Sequence, residues 1–414
     1  MIKHLKNMNR GVLIYFCMIA LTALGFGLSN DIISNYFKDA YNVTAYQRGL
    51  IEFPRELPGV LCLFVVAGLS FLSDIRKAMI AQILSIIGIT ILGFLTPPFA
   101  VMLIFIFINS LGNHLFFPLQ DSIGISLIKD GNIGKRMGQY KGVSTAFAML
   151  ASIMVFIGFR VGFFSFTVPT KWIFIMAAVF LMAALILLFV LERVNKEPIR
   201  SKNSKIRFIF RKQYNYYYIL VIMFGVQKQM MLVYGPWVLI DLLNKKADTL
   251  AILGIIGSFA GIFFIPAVGR WLDRFGIKKL LYADALSFIG VYLLYGLICA
   301  GFITGKFGMA GFPVILVYIL SIVDRMSMQM GIVRTVYLRS ILVKESDLMP
   351  TLSLGQSMDH IISIACAYLG GIIWSLFGAQ YVFFLVSALS FVNLYVAKKV
   401  QIQEPAPSLV EDGN

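Results

Sequence analysis

The chain has 414 residues and a formal net charge of +16; 59% of its residues are hydrophobic and only 14% are charged. Typical soluble domains carry about 45–50% apolar and about 25% charged residues. Together with a mean hydropathy of +0.84, this composition excludes a disordered chain, a secreted disulfide scaffold and an ordinary cytosolic enzyme. The apolar excess predicts an all-α polytopic membrane protein.

Apolar runs long enough to cross a bilayer, which takes about 20 residues, follow one another along the whole chain. We predict twelve membrane helices, over residues 11–37, 47–72, 78–96, 100–128, 138–164, 170–192, 215–241, 248–269, 280–302, 312–339, 347–375 and 379–400. Their continuous apolar stretches argue against a transmembrane β-barrel, whose strands alternate. The four cysteines fall inside these runs without metal-ligand spacing, so no metal site is predicted.

The basic residues are distributed unevenly between the two sets of connecting loops. The N-terminus, the loops after every second run and the C-terminal end carry 25 of the 36, whereas the opposite side carries 6. This asymmetry follows the positive-inside rule and places both termini in the cytoplasm. Because the charge is spread over many short loops, it does not form the patch that nucleic-acid binding requires.

The longest hydrophilic connection divides the chain into two similar halves. We predict a six-helix bundle over residues 1–192, a basic cytoplasmic linker over 193–214, a second six-helix bundle over 215–400 and a disordered tail over 401–414. The segment that begins GLSFLSD at Gly68 resembles the one that begins AVGRWLD at Ala267, with Asp74 aligned on Asp273. Two parallel six-helix repeats are one of the known transporter plans.

The second of these segments, GRWLDRFGIKK from Gly269, resembles the cytoplasmic loop motif of the major facilitator superfamily. The segment at Asp74 resembles a degraded copy, at the place between the second and third helices where the family carries it. The resemblance covers nearly the whole chain and implies two pseudo-symmetric bundles of six helices. It also implies a cytoplasmic gate at these loops, with these members: Asp74, Arg76, Asp121, Gly269, Asp273, Arg274, Gly276 and Lys278.

Ionisable residues inside the apolar runs are costly in a membrane and are functional candidates by default. Glu52, Arg55 and Glu56 share one face of the second run, and two carboxylates beside one guanidinium favour holding a proton. The predicted proton-coupling set adds Asp31, Asp359 and His360. A static buried network remains the alternative interpretation of the same residues.

A second group of polar residues lies near the middle of runs that, in the resembling family, line the cavity. Lys228, Arg325 and His114 suit an anionic group, and Asp324 suits a cationic one. The predicted substrate-binding set is completed by uncharged side chains, namely Asn113, Gln227, Gln329 and Tyr234.

These observations predict a monomeric secondary transporter in the plasma membrane that moves a small charged or zwitterionic organic solute with protons. The expected partners are the lipid bilayer, a small-molecule substrate and protons, without nucleic acid or cofactor. No P-loop and no nucleophile–base set occurs in the sequence, so neither ATP drive nor an enzyme is expected. Two alternatives stay open: an exporter of amphiphilic drugs or lipids, and a transporter-like sensor or scaffold without flux.

Overall fold

The computed structural model describes residues 10–30, 32–128, 133–195, 199 and 209–400, and their secondary structure is helical. The α-helices are α1 (Arg10–Asn30), α2 (Ile33–Tyr41), α3 (Ala45–Gly68), α4 (Asp74–Phe94), α5 (Phe99–Ser126), α6 (Ile133–Arg160), α7 (Trp172–Val194), α8 (Asn215–Trp237), α9 (Ala247–Ile303), α10 (Phe312–Gln329), α11 (Ile332–Ser340), α12 (Leu348–Phe377) and α13 (Ala379–Lys399). A π-helical turn over Val238–Leu242 extends α8, and short 3₁₀ turns precede α8 and α12.

Ten helical segments of the described chain are long and apolar enough to cross a membrane. One of them is α9, whose 57 residues hold Gly276 at φ +78°, a conformation that ends a helix and starts the next. At 1.5 Å per residue this segment is long enough for two spans. The ten segments therefore provide eleven spans, and α3, which is less apolar because of its charged residues, provides the twelfth. The predicted all-α fold is confirmed.

Two of the predicted spans are interrupted, which the apolar pattern did not indicate. The first is divided into α1 and α2. The tenth is divided into α10 and α11 at Met330 and Gly331, where backbone hydrogen bonds run from residue i to i−3, as from Met330 N to Ser327 O. Such a 3₁₀ stretch inside a helix marks a local tightening of the backbone.

The chain forms two compact units. The first comprises residues 1–204, 233–259 and 367–372, and the second comprises 205–232, 260–366 and 373–414. The division into two six-helix halves at residues 193–214 stays a prediction.

In the first unit, α4 packs closely against α5, and α1 packs against α6 and α7. Gly112 of α5 permits the closest approach, because a Cβ atom there would lie 2.3 Å from Ser85 Oγ and 2.5 Å from the Ala81 carbonyl oxygen. Small residues at helix interfaces allow such contacts in membrane proteins. Buried aromatic rings of Tyr36, Phe166 and Phe174 pack together elsewhere in this unit.

We expect Gly112→Ala to destabilise the protein by about 1–3 kcal/mol, because the added methyl group overlaps backbone atoms of α4. The matched control is Gly142→Ala in α6, where a Cβ atom meets nothing within 4 Å. Since alanine is the better helix former, the control should be neutral or slightly stabilising. Thermal unfolding of both variants in detergent checks this; equal melting temperatures would contradict the packing described.

The core of the second unit is rich in tyrosine and aliphatic side chains from α8, α9, α11 and α13, including Tyr217, Leu281 and Val396. A buried ion pair joins α9 to α11 beside this core. Arg334 Nη1 donates to Asp284 Oδ2 at 2.6 Å, and the guanidinium lies 3.8 Å from the centre of the Phe224 ring. The pair fixes α11 just after the interruption of the tenth span.

Candidate substrate and proton site

Lys228 of α8 and Asp359 of α12 form an ion pair within the second unit, from Lys228 Nζ to Asp359 Oδ2. The side chains are 28% and 14% exposed, so water or a solute can reach the pair. The other carboxylate oxygen, Asp359 Oδ1, is buried and has no hydrogen-bond partner among the described residues. The structure therefore joins a predicted substrate-binding residue to a predicted proton-coupling residue and leaves one acceptor atom unused.

The predicted cluster in α3 contains a further basic residue that the predicted proton-coupling set does not include. Arg48 lies inside α3, is fully buried, and donates to Glu52 Oε1 one turn away. Arg55 donates to the same oxygen. Arg48 also donates to Ser34 Oγ at 3.2 Å and lies 5.6 Å from the centre of the Phe37 ring. Glu52 is thus a carboxylate held between two guanidinium groups.

Glu56 lies one turn further along α3 and is 7% exposed. One of its carboxylate oxygens lies within 4.8 Å of a ring nitrogen of His114 in α5. The Nδ1 atom of His114 lies 2.9 Å from the Ser110 carbonyl oxygen and 3.2 Å from Ser110 Oγ. Ser110 Oγ in turn donates to the backbone carbonyl of Arg55. A carboxyl and an imidazole at this distance can share a proton, directly or through one water.

Asp324 of α10 is almost completely buried and belongs to a hydrogen-bonded group of the second unit. The Tyr292 hydroxyl lies 3.2 Å from Asp324 Oδ1 and 2.8 Å from the Gln227 carbonyl oxygen, and it can donate its single hydrogen to either. The Gln227 side chain bonds to Ser390 and Asn393 of α13. The side chains of Asp324 and Gln227 therefore connect helices here, and their substrate contact stays a prediction.

The remaining predicted residues differ in their burial. Arg325 and Gln329 are exposed side chains of α10, and His360 is buried in α12. Tyr234 is fully buried and donates its hydroxyl to the Ala367 carbonyl oxygen. Asp31 lies outside the described residues.

The first copy of the gate motif, at Asp74, makes more polar contacts than the second copy, although its sequence resembles the family motif less closely. Asp74 is fully buried, accepts from Lys77 Nζ at 2.9 Å and from Ser122 Oγ at 2.7 Å, and its backbone N–H donates to Ile199 O. Arg76 donates to Glu192 Oε1 at 2.5 Å. Asp121 is exposed, and its neighbour Ser122 makes the contact with Asp74 instead.

The second copy of the motif is exposed. Asp273, Arg274 and Lys278 all lie on the surface, and Arg274 lies 5.3 Å from the ring centre of its neighbour Phe275. A Cβ atom added at Gly269 would meet no other atom within 4 Å. Position 276, in contrast, favours glycine because its φ is positive. In the described part of the chain, Asp273 has no ion-pair partner, so the gate role of this copy stays a prediction.

Several polar contacts escaped the sequence interpretation. Lys38 pairs with Asp241 at 2.5 Å and lies 5.7 Å from the Trp237 ring centre, which links α2 to the π-helical turn within the first unit. Arg48 had a detectable signal, because it precedes Glu52 by one helical turn. Lys38 and Asp241 are separated by about half of the chain, and no local spacing indicates their contact.

The sequence profile described as Major Facilitator Superfamily matches residues 14–343. This chain belongs to the Major Facilitator Superfamily. The family and the fold are those of transporters, and the family resemblance predicted from the motif is confirmed. No curated protein sequence matches the chain.

Solved structures of this superfamily share the fold at low sequence identity. A variant of the nucleoside transporter NupG has a TM-score of 0.76 and 14% identity, covering 94% of this chain and 99% of that one. A POT family transporter in complex with 5-aminolevulinic acid has a TM-score of 0.74 and 14% identity, with coverages of 94% and 96%. A D-xylose-proton symporter has a TM-score of 0.69 and 14% identity, with coverages of 94% and 98%. At these identities the similarity establishes the fold.

Proposed function

We propose that this protein is a secondary active transporter that moves a small charged or zwitterionic organic solute by alternating access, coupled to protons. The observation that carries the proposal is the Lys228–Asp359 pair, two opposite charges that are partly open to water in otherwise apolar helices. Charges in such helices are expensive, and pairs of this kind mark ion and substrate pathways.

The pair suggests how substrate and proton binding are linked. An anionic group of the substrate competes with Asp359 for the Lys228 ammonium. This leaves the Asp359 carboxylate without its cation, and we assign to this carboxylate the proton that accompanies the substrate. The buried Oδ1 atom, which accepts no hydrogen bond in the described structure, is available to hold that proton. Substrate and proton then bind together.

The two carboxylates of α3 are assigned different roles. Glu52 already has two cationic partners, which favours a permanently charged, structural group. Glu56 lies beside the imidazole of His114, a side chain type that commonly exchanges protons in proteins. We assign proton binding to Glu56 together with His114, and helix fixation to Glu52.

Two of the structural relatives are consistent with a proton-coupled transporter of small organic solutes. One is a proton symporter, and another was solved with 5-aminolevulinic acid, which carries an amine and a carboxylate. Neither relative identifies the substrate of this chain.

Lys228→Ala tests the proposed substrate role. We expect it to weaken binding of an anionic or zwitterionic substrate by about tenfold or more, since a charge-assisted hydrogen bond is lost. The control is Lys246→Ala, at the exposed start of α9. Isothermal titration against a panel of amino acids and organic acids measures both; equal affinities for the wild type and Lys228→Ala would contradict the role.

We further propose that the protein lies in the plasma membrane as a monomer with both termini in the cytoplasm. The support for the orientation is the asymmetry of basic loop residues. In this orientation Phe210, just before α8, faces the cytoplasm, whereas Lys306, between α9 and α10, faces outside.

Single cysteines at these two positions test the orientation. In a cysteine-free background, Phe210→Cys should react with a membrane-impermeant maleimide only after cells are opened. Lys306→Cys should react in intact cells. Both native side chains are exposed, so access is not limited by burial. The reverse labelling pattern would overturn the proposed topology.

A further inference from the structure

A cavity of about 200 Å³ lies within the first unit, between α1, α5 and α6. It contains several times the ~30 Å³ that one water occupies in the liquid, so it has room for part of a small organic molecule. It is distinct from the Lys228–Asp359 pair, which belongs to the second unit. None of the side chains that line it is charged.

The lining combines neutral hydrogen-bonding groups with aromatic rings. The polar members are Thr22, Asn30, Gln120 and Ser144, and the aromatic members are Phe26 and Phe117. The remaining lining residues are alanine and glycine, whose small side chains leave space in the cavity. The two rings lie 5.4 Å apart between centroids, tilted by 60°, and form one continuous apolar surface.

Two of the polar groups are held in place by a second layer of amides. Gln82 Nε2 donates to Thr22 Oγ1 at 3.0 Å. Asn113 Nδ2 lies 3.5 Å from Asn30 Oδ1, and Asn113 Oδ1 accepts from Ser85 Oγ at 3.0 Å. Asn113, a predicted substrate-binding residue, therefore acts through Asn30 here as a positioning residue. Preorganised polar groups of this kind determine ligand orientation in mostly apolar pockets.

The other two polar groups, on Gln120 and Ser144, are available for hydrogen bonding to a ligand. In the part of the chain that the structure describes, the Gln120 amide and the Ser144 hydroxyl make no side-chain hydrogen bond. A primary amide offers two donors and an acceptor, and a hydroxyl offers one donor and an acceptor. A ligand that matches these groups would present both donors and acceptors.

We propose that this cavity binds an uncharged, hydrogen-bonding moiety with a flat apolar face, such as a ring bearing amide or hydroxyl groups. The proposal rests on the proposed transport function, because it assigns the cavity to the neutral part of the transported solute. A charged group is disfavoured here, since no counter-charge lines the cavity and burial of an unpaired ion is costly.

Thermal unfolding and titration of the purified full-length protein test the proposal with three probes. Uridine and nicotinamide are uncharged and carry a flat ring with an amide group, whereas xylose is uncharged without a flat face. We expect uridine or nicotinamide to raise the melting temperature, as any ligand of the folded state does. Xylose should have little effect at the same concentration.

Variants of the lining locate the binding. Gln120→Leu should raise the Kd of the bound probe about fivefold, the loss expected for one hydrogen bond. Ala148→Phe should fill the cavity and abolish binding. Thr145→Val is the matched control, because Thr145 lies on α6 beside Ser144 but outside the cavity, with its hydroxyl bonded to the Lys141 carbonyl oxygen. If Ala148→Phe does not fold, the change in Kd of Gln120→Leu tests whether the probe binds in the cavity.

The proposal is overturned if neither uridine nor nicotinamide raises the melting temperature, if xylose raises it as much as they do, or if binding is unchanged in the lining variants. Uptake into proteoliposomes separates this failure from failure of the transport function. Probe binding that is lost in the cavity variants, in a protein that shows no uptake, would support the cavity and contradict transport. Substrate uptake that is undiminished in Ala148→Phe would support transport and contradict the cavity.

Discussion

Glu52→Ala is expected to lower the free energy of unfolding by about 3–5 kcal/mol, the cost of breaking a buried ion pair by removing one partner. The substitution leaves the Arg48 guanidinium buried, at 1% side-chain exposure, without its carboxylate. Arg48 Nε already has no hydrogen-bond partner in the described structure, so little remains to compensate the charge. Arg55 is less affected, because it is 20% exposed.

Unfolding in detergent by heat or denaturant measures this loss, and Glu192→Ala provides the control. Glu192 also accepts from an arginine, Arg76, but that side chain is 61% exposed, and exposed pairs contribute about 1 kcal/mol or less. A loss for Glu52→Ala no greater than that of the control would show that α3 does not depend on its buried pair. The assignment of Glu52 to helix fixation would then be wrong.

Asp359→Asn is expected to uncouple transport from protons. Asparagine is close in size and still accepts a hydrogen bond from Lys228, but it cannot bind a proton at its side-chain oxygen. In proteoliposomes with an inward proton gradient, the variant should equilibrate the substrate without accumulating it, while exchange of internal for external substrate continues.

The matched control is Asp248→Asn at the start of α9, where the carboxylate lies 3.7 Å from the exposed guanidinium of Arg160. This control should accumulate substrate as the wild type does. Accumulation by Asp359→Asn at the wild-type level would contradict the coupling role of Asp359. Loss of both accumulation and exchange would instead place the residue in substrate binding.

The fold was largely predictable because lipid imposes a strong pattern on sequence. Spans must be long and apolar to satisfy their backbone in hydrocarbon, and loops must follow the charge asymmetry. The interruption between α10 and α11 was not predictable in this way. Its cause is local backbone hydrogen bonding near Met330, which the apolar pattern of the span does not indicate.

The candidate site was predictable as a set of residues but not as a set of contacts. Unusual ionisable residues in apolar runs identified Lys228 and Asp359 separately, whereas their pairing depends on the packing of two helices 131 positions apart in sequence. The local pair of Arg48 and Glu52 follows from helical spacing, but its burial does not. Ser122, which bonds to Asp74, has no signal in the sequence, because serines are common in helices of every kind.

The most direct test of the central claim is the movement of protons that accompanies a substrate. Purified protein is reconstituted into vesicles that contain a pH-sensitive dye, and amino acids, organic acids, nucleosides and sugars are added outside one at a time. Proton-coupled transport predicts that at least one solute acidifies the vesicle interior, and that Asp359→Asn abolishes this signal. A solute that binds the purified protein tightly and enters the vesicles without any proton movement, in the wild type, would contradict the account.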